Sequence, residues 1–282
     1  SSAAGARLSG DLHYHIVMSS PAPASDRRTF LLRVLRLGGA SAAAVGLGAY
    51  LSGRSRRPEE RAASQVALDH RVADRPDLPE LAVARGESAE PAALVRRAIA
   101  DMGGMGRFVA RGATVVIKPN VAWDRLPEYA ATTNPEIVAQ LVRLCREAGA
   151  GAVIVTDVSC NEPEACFERS GIGAAARAAG AEVVLPQTRF FKTIDLGGQV
   201  LREWPVLEPF LEADTLINVP IAKHHSLTGV TLGMKNWYGL IGGDRNRLHQ
   251  RIHESLVDLT DFAKPSLTVM DAYRVLMRNG PT

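Results

Sequence analysis

The sequence predicts an α/β protein with three layers, in which helices cover both faces of a mostly parallel sheet. From about residue 80 onward, short apolar runs alternate with segments of helical periodicity, the order typical of a parallel sheet. The run at 152–156 is apolar without alternation, as is typical of a strand buried on both faces. Two alternating segments around Gly197-Gly198 break this order, so we expect an inserted β-hairpin at about 188–205.

The folded domain is predicted to begin with a strand at 81–84, followed by a helix that Gly103-Gly104 ends. Asn134, Pro135 and Glu136 predict the start of a second long helix, because a polar cap, a first-turn proline and an acidic residue favour a helix N-terminus. Further strands are expected at 113–118, 152–156, 182–185, 215–219 and 266–270. The expected helices are 91–102, 133–148, 162–170, 173–179, 206–212 and 248–263.

Residues 1–53 are interpreted as targeting sequence rather than as part of the fold. We expect residues 1–17, which precede Met18, to be an upstream segment without function. Within 18–53, Asp26-Arg27-Arg28-Thr29-Phe30-Leu31 resembles a twin-arginine export motif, and an apolar run follows at 37–51. That run is shorter than the roughly twenty residues of a membrane-spanning helix and suits a signal segment.

This interpretation predicts a location and a partner. The twin-arginine translocation machinery would export the chain to the periplasm or to the outer face of the cytoplasmic membrane. No small-residue cleavage site directly follows the apolar run, so residues 30–51 could instead persist as a membrane anchor. Residues 54–79, rich in Arg, Pro, Ala and acidic residues, are predicted to be a flexible linker to an α/β domain at 80–282.

The excess positive charge belongs to the N-terminal segment. Residues 1–75 hold 11 arginines and no lysine against 6 acidic residues, a net charge of +5, and the rest holds 22 basic and 24 acidic residues, a net charge of −2. A near-neutral folded part lacks the basic face that nucleic-acid binding requires, so we expect no nucleic-acid partner.

Polar side chains concentrate in residues 218–239, directly after the predicted strand at 215–219. This stretch holds two of the chain's five lysines, Lys223 and Lys235, together with two adjacent histidines and two asparagines. Such side chains can hold an anion, orient a carbonyl or carboxylate, or bind a metal.

The same stretch carries a family resemblance. Asn218-Val-Pro-x-x-Lys223-His224, Lys235-Asn236-x-x-Gly239 and three outlying motifs resemble the domain-of-unknown-function family 362. The outlying motifs are Val116-Ile-Lys118-Pro-Asn120, Thr133-Asn-Pro-Glu136 and Met270-Asp271-Ala272. The resemblance spans about 80–282 and implies a fold and a site rather than a reaction. Because the chain stops within a family motif, we expect the C-terminal part of the domain to be missing.

Some members of the resembled family carry an iron–sulfur segment. That chemistry needs closely clustered cysteines, whereas this chain has only Cys145, Cys160 and Cys166. We therefore expect no iron–sulfur cluster from this chain. Cys145 is expected in the core, and Cys160 and Cys166 could form a disulfide, a metal pair or two unrelated thiols.

Several predicted strands end in polar or charged residues, and the carboxyl ends of parallel strands meet at one edge of a sheet. We therefore expect one shared cleft there. Lys223, His224 and Asp157 are the candidate catalytic residues, and His224 is favoured over His225 because it stands at the family's motif position. The expected ligand-binding residues are Lys118, Asn120, Asn218, Lys235, Asn236 and Arg245. The candidate metal ligands are Asp157, Asp271 and His224.

The sequence thus predicts an exported protein whose cleft binds a small anionic ligand, with a divalent metal as an optional cofactor. An enzyme acting on a small carboxylated or phosphorylated molecule is the leading hypothesis. The alternatives are a non-catalytic protein that carries a ligand or a metal, and a redox accessory whose cluster lies on another chain.

Overall fold

The structure is a computed structural model that describes residues 68–282. Its strands, in chain order, are β1 (Leu68–Asp69), β2 (Thr114–Pro119), β3 (Ala152–Val155), β4 (Glu182–Val183), β5 (Phe191–Asp195), β6 (Glu203–Leu207), β7 (Thr215–Val219), β8 (Ile221–His225), β9 (Gly229–Thr231), β10 (Ala263–Lys264), β11 (Leu267–Thr268) and β12 (Asp271–Leu276). Its α-helices are α1 (Pro91–Asp101), α2 (Pro135–Glu147), α3 (Pro163–Arg169), α4 (Ile172–Ala178), α5 (Glu208–Leu211), α6 (Gly233–Asn236) and α7 (Ile252–Phe262).

A parallel five-stranded sheet forms the centre of the fold. Its strand order is β11-β7-β2-β3-β4, and all four pairings are parallel. Every residue of β7 is buried, including the polar Thr215 and Asn218. The pairing of β2 with β7 places Lys118 beside Asn218, so two polar residues reach the same edge of the sheet.

Helices pack on both faces of this sheet, which gives the three layers predicted from the sequence. Alternate residues of β2 point to opposite faces, so Val115 and Ile117 join a core with α1 and α2, while Val116 joins a second core. The second core takes its helical residues mainly from α7, for example Leu259 and Phe262. The predicted α/β class is therefore confirmed.

Helix α2 begins as its sequence predicts. The Asn134 side chain accepts a hydrogen bond from the backbone N–H of Glu136 at 2.9 Å, and Pro135 occupies the first turn. This cap satisfies one of the free N–H groups of the helix start. The helix begins close to the end of β2, because the Thr133 hydroxyl accepts a hydrogen bond from the Asn120 N–H at 2.8 Å.

Two smaller antiparallel pairings lie outside the main sheet. Strands β5 and β6 form the predicted hairpin, paired from Phe191 with Leu207 to Asp195 with Glu203. Strand β8 pairs antiparallel with β9 and parallel with β12, an arrangement that the sequence did not predict. Gly229 adopts a positive φ of 73° at the start of β9, a conformation that glycine tolerates without strain.

The predicted strand at 81–84 is wrong. Leu81 and Val83 are 78% and 65% exposed, so this run has no sheet or core to pack against. The first described strand is β1, which pairs in parallel with β10 and buries Leu68. Residues 68–69 are thus ordered strand within the segment predicted as linker, because Leu68 contributes to the second core.

Other boundaries shift where tertiary pairing competes with helical periodicity. The helix predicted at 206–212 contracts to α5 because Val206 and Leu207 belong to β6. The predicted signal and anchor segments at 1–53 lie outside the described residues. Among residues 68–282, no helix is long and apolar enough to cross a membrane.

Asp258 of α7 is a buried anchor for the turn that joins β5 to β6. Its carboxylate accepts hydrogen bonds from the backbone N–H groups of Gln199 at 3.0 Å, Val200 at 2.7 Å and Leu201 at 2.9 Å. One carboxylate therefore satisfies three consecutive N–H groups of the connecting turn, and charged hydrogen bonds of this kind are the stronger ones.

We expect Asp258→Ala to lower the free energy of unfolding by about 2–4 kcal/mol, because it leaves these N–H groups without an acceptor. Urea unfolding followed by circular dichroism measures the change. Asp261→Ala, an exposed carboxylate on the same helix, is the control and should change stability by less than about 0.5 kcal/mol. Equal losses in the two variants would contradict the anchoring role of Asp258.

Candidate functional site

A cleft of about 500 Å³ opens at the carboxyl ends of β2 and β3 and is bounded by β8, β9 and the segment that follows them. It gathers polar residues that are far apart in sequence. Those on its wall that were expected from the sequence are Lys118, Asn120, Asp157, Lys223, Lys235, Asn236 and Arg245. Three of the chain's five lysines therefore line one cavity.

The base of the cleft is a buried ion pair between Lys118 and Asp157. The Lys118 Nζ donates to Asp157 Oδ1 at 2.6 Å and to the Pro119 carbonyl at 3.0 Å. The other oxygen, Asp157 Oδ2, accepts from the Val121 N–H at 2.6 Å. Burial lowers the pKa of Lys118, and the nearby Asp157 carboxylate opposes that shift. Both Asp157 oxygens are therefore engaged by the protein itself.

Gly239 packs directly against this ion pair. A β-carbon at Gly239 would overlap the Asp157 carboxylate and lie 2.6 Å from Lys118 Nζ. The Gly239 carbonyl also accepts a hydrogen bond from the Val158 N–H at 3.0 Å. Only a residue without a side chain allows this backbone to cover the pair so closely.

Three asparagine side chains connect the strand ends to helix α6. The Asn120 amide donates to Asn236 Oδ1 at 3.0 Å, and the Asn236 amide donates to Asn218 Oδ1 at 2.8 Å. The Asn218 amide donates to the Gly233 carbonyl at 3.1 Å, and Asn218 does not line the cleft. These asparagines, expected as ligand contacts, are largely engaged with one another and hold the wall of the cleft in place.

Lys223 reaches the cleft from the middle of β8. Its Nζ donates to Asn120 Oδ1 at 3.1 Å, to the Pro281 carbonyl at 2.9 Å and to the Ala131 carbonyl. All three acceptors are uncharged oxygens, and no described residue forms an ion pair with this lysine. Burial lowers the pKa of Lys223 to about 7. Its proton is therefore exchangeable near neutral pH.

Lys235 is the lysine of the cleft without a polar partner. Its Nζ lies 4.1 Å from the centroid of the Tyr238 ring, within the range of a cation–π contact. In the described part of the chain it makes no hydrogen bond and no ion pair. Burial lowers the pKa of Lys235 to about 8, so the amine is protonated in most molecules at neutral pH. This ammonium group is free to contact a ligand.

Arg245 was expected to contact the ligand. Its guanidinium instead donates to the backbone carbonyls of Val158 at 2.8 Å, Ser159 at 2.6 Å and Tyr238 at 3.2 Å. These bonds fix the loop against the end of β3. Arg245 still lines the cleft and adds positive charge to it.

The preference for His224 over His225 needs correction. Side chains alternate along β8, so Lys223 and His225 share one face, and both line the cleft, whereas His224 lies on the opposite face. The Nδ1 of His224 accepts from the Gly280 N–H at 3.1 Å, outside the cleft. Burial lowers the pKa of His225 to about 4, so its ring is neutral at physiological pH.

The three candidate metal ligands do not come together. Asp271 accepts hydrogen bonds from the Asn134 N–H at 2.8 Å and the Tyr273 N–H at 3.1 Å, and it does not line the cleft. Burial raises the pKa of Asp271. Its two hydrogen bonds join β12 to the residue before α2. Among residues 68–282, no group of three His, Cys, Asp or Glu residues is arranged to hold a metal ion. The residues that are present do not fit the divalent metal that the sequence analysis gave as an optional cofactor.

Several cleft residues were not expected from the sequence. They are Trp123, Cys160, Thr231, Tyr238 and His249. The period-two alternation of β8 and β9 could have indicated Thr231, which pairs with Lys223. The others come from loops and short 3₁₀ segments, where no periodicity predicts the direction of a side chain. Cys160 is exposed and Cys166 is buried, and both are free thiols.

The cleft carries a net positive charge. Its basic residues are Lys118, Lys223, Lys235 and Arg245, and its carboxylates are Asp157 and Asp244, which gives a formal excess of two positive charges when every lysine is protonated. Since the Lys118 charge is matched by Asp157, the excess comes from Lys223, Lys235 and Arg245 against Asp244. A concave, half-apolar surface with this charge is suited to a small anion.

The chain is similar to one curated protein in sequence and to two solved structures in fold. A thylakoid-associated protein of Synechocystis is 27% identical over 208 residues, which cover 70% of this chain and 64% of the relative's length. A Thermotoga maritima structure from a structural genomics programme shares 14% identity with a TM-score of 0.40, covering 61% of this chain and 43% of that chain. The lactate racemase apoprotein of Thermoanaerobacterium thermosaccharolyticum shares 14% identity with a TM-score of 0.38, covering 73% of this chain and 55% of that chain.

The family model of the domain of unknown function DUF362 matches residues 115–282, more than half of the chain. This region contains the polar stretch at 218–239 and all three outlying motifs. The chain therefore belongs to the domain-of-unknown-function family 362.

Proposed function

We propose that the cleft binds a small molecule with a carboxylate or phosphate group and that Lys235 is its principal anchor. The observation that carries this proposal is the unpaired ammonium group of Lys235 on the cleft wall. A half-buried cation without a counter-ion is costly, and an anionic ligand would offset that cost. Lys223 and Arg245 add positive charge, although their own hydrogens are largely bound to protein oxygens.

The size of the cleft supports a ligand larger than a simple inorganic anion. Its volume of about 500 Å³ is within the range of small-molecule sites. The rest of its wall includes Trp123, Val158 and Leu227, which can contact the body of such a molecule.

We further propose that the protein is an enzyme that transfers a proton through Lys223. A buried lysine whose pKa is lowered to about 7 can both release and accept a proton at neutral pH. Lys223 stands on the same face of β8 as His225, within the same cleft. Asp157 would act by fixing Lys118 and the chain at Val121, since both of its oxygens are engaged.

A non-catalytic carrier is the second candidate, and a specific observation favours it. The three hydrogens of the Lys223 ammonium group all have acceptors, and Lys118 is paired with Asp157. In that arrangement Lys235 would be the only one of the three lysines with hydrogens left for the ligand, and the site would bind without performing chemistry.

We also propose that the chain is exported by the twin-arginine route. Support comes from the Arg27-Arg28 motif and the apolar run behind it. The Synechocystis relative is named as thylakoid-associated, which supports a location at a membrane.

Sulfate binding tests the anchor. We expect Lys235→Met to weaken sulfate binding about tenfold or more, measured by isothermal titration calorimetry, because a charge-assisted hydrogen bond is lost. Lys264→Met, outside the cleft, should bind as the parent does. Since burial lowers the pKa values of Lys223 to about 7 and Lys235 to about 8, affinity should fall as pH rises from 7 to 9. Unchanged sulfate affinity in Lys235→Met would rule out the anchor.

Turnover separates enzyme from carrier. The small molecule that co-purifies with the protein from a native-like host would be identified by mass spectrometry and then incubated in excess with the protein. An enzyme should convert it, and Lys223→Met should slow conversion by at least about a hundredfold, the usual contribution of a general acid or base. Lys192→Met, on the exposed hairpin, is the control. A molecule that stays bound and unchanged in all three proteins would identify a carrier.

Cell fractionation tests the export proposal with the full chain. We expect Arg27→Lys combined with Arg28→Lys to keep an epitope-tagged chain in the cytoplasm, because the twin-arginine route reads both guanidinium groups. Arg33→Lys combined with Arg36→Lys preserves the same charge outside the motif and should leave export intact. Equal export of both double variants would exclude the twin-arginine route.

A further inference from the structure

The β8–β9 hairpin presents three polar side chains on one face. Lys223 and His225 are two positions apart on β8, and Thr231 pairs with Lys223 across the antiparallel ladder. Diagonal neighbours in such a ladder lie about 7–8 Å apart, a distance that one small molecule can span. All three residues line the cleft, and they are 3%, 6% and 2% exposed.

The hydrogen bonds of His225 fix its tautomer. Its Nδ1 accepts from the Leu227 N–H at 3.1 Å and lies 3.4 Å from the Thr228 N–H. A ring nitrogen that accepts carries no proton, so the proton of the neutral ring is on Nε2. In the described part of the chain this Nε2–H has no acceptor. His225 therefore brings an uncharged hydrogen-bond donor to the cleft rather than a base.

Two hydroxyl groups on the cleft residues also lack partners. Among the described residues, the Thr231 Oγ1 and the Tyr238 hydroxyl are buried and form no hydrogen bond. A buried polar group without a partner costs about 1–3 kcal/mol, and native structures contain few of them. Tyr238 lies under the Lys235 ammonium group, so this unpaired hydroxyl belongs to the residue that supports the anchor.

We propose that the ligand carries, besides its anionic group, an uncharged oxygen function, a hydroxyl or a carbonyl, that is received by His225, Thr231 and Tyr238. This proposal rests on the anion-binding function proposed above and specifies the substrate class: small hydroxylated or keto carboxylates or phosphates. The anionic group contacts Lys235, and the second oxygen completes the hydrogen bonds of an imidazole N–H and two hydroxyls.

The unpaired imidazole N–H and the two unpaired hydroxyl groups make the cleft selective between ligands with and without the second oxygen. A site whose buried polar groups are made to pair with a ligand oxygen disfavours an analogue that lacks it, because the groups are then left unpaired. An anion-binding cleft without this subsite would bind both analogues equally, since each has the same charge. The ratio of the two affinities is thus a direct measure of the subsite.

The proposal is tested on the whole protein with probes that have the same anionic group and differ in whether they carry a further oxygen. The affinity of each probe is measured by its displacement of sulfate. The carboxylate probes are butyrate, 2-hydroxybutyrate, 3-hydroxybutyrate and 2-oxobutyrate, and the phosphate probes are n-propyl phosphate and glycerol 3-phosphate. At least one oxygenated probe should bind about tenfold or more tightly than its unsubstituted partner. The carboxylate and phosphate arms together identify which anionic group the cleft prefers.

The variants Thr231→Val and Tyr238→Phe remove one hydroxyl each with little change in shape, and each should move the affinity ratio toward one. Thr268→Val and Tyr129→Phe are exposed controls and should keep the parent ratio. Urea midpoints for each variant verify folding. If sulfate and the unsubstituted probes bind but no oxygenated probe is preferred, the subsite inference fails and the anion site stands. If sulfate and every probe fail to bind, the anion-binding function fails, and the subsite with it.

Discussion

The buried pair of Lys118 and Asp157 is the constraint on which the site depends. Taking two charges out of water is costly, and their mutual attraction compensates only when the contact is close and the other hydrogen bonds are made. The protein meets this condition at 2.6 Å, with the Pro119 carbonyl and the Val121 N–H completing the pair. Because Lys118 is on β2 and Asp157 follows β3, the pair fixes the two strand ends relative to each other. The close approach of Gly239 then excludes water from it.

The remaining charges of the cleft take different roles because their surroundings differ. Lys118 is neutralised by its partner, Lys223 is surrounded by neutral oxygens, and Lys235 rests on an aromatic ring without a polar partner. Burial lowers the pKa of each of these lysines, yet only Lys235 keeps its hydrogens free for a ligand. Three identical side chains thus lie in three different surroundings, and the proposed function assigns them as one structural cation, one proton-transfer group and one anchor. The asparagine chain from Asn120 to Asn218 keeps these positions fixed.

The cleft combines charge with uncharged hydrogen-bonding groups, and two neighbouring segments of the chain supply most of both. The segment after β9 supplies Lys235 and Tyr238, while the β8–β9 hairpin supplies His225 and Thr231. The hairpin also sets the tautomer of His225 through the backbone of its own turn. In the proposed complex the segment after β9 would contact both the anionic group, through Lys235, and the second oxygen, through Tyr238, while the hairpin would contact the second oxygen. The polar stretch at 218–239 therefore supplies most of the proposed ligand contacts.

The sequence by itself determined the α/β class, the inserted hairpin, helix α2 with its Asn134 cap, and which strand ends carry lysine, asparagine and aspartate. These features follow from local periodicity and from capping, which act over a few residues. It did not determine which polar residues would be neighbours: His225 rather than His224 faces the cleft, Asp271 accepts from the Asn134 N–H before α2, and the run at 81–84 has no strand to pair with. Only the tertiary structure decided these points, because the role of a buried polar side chain depends on partners that lie a hundred residues away and on which face of β8 meets them.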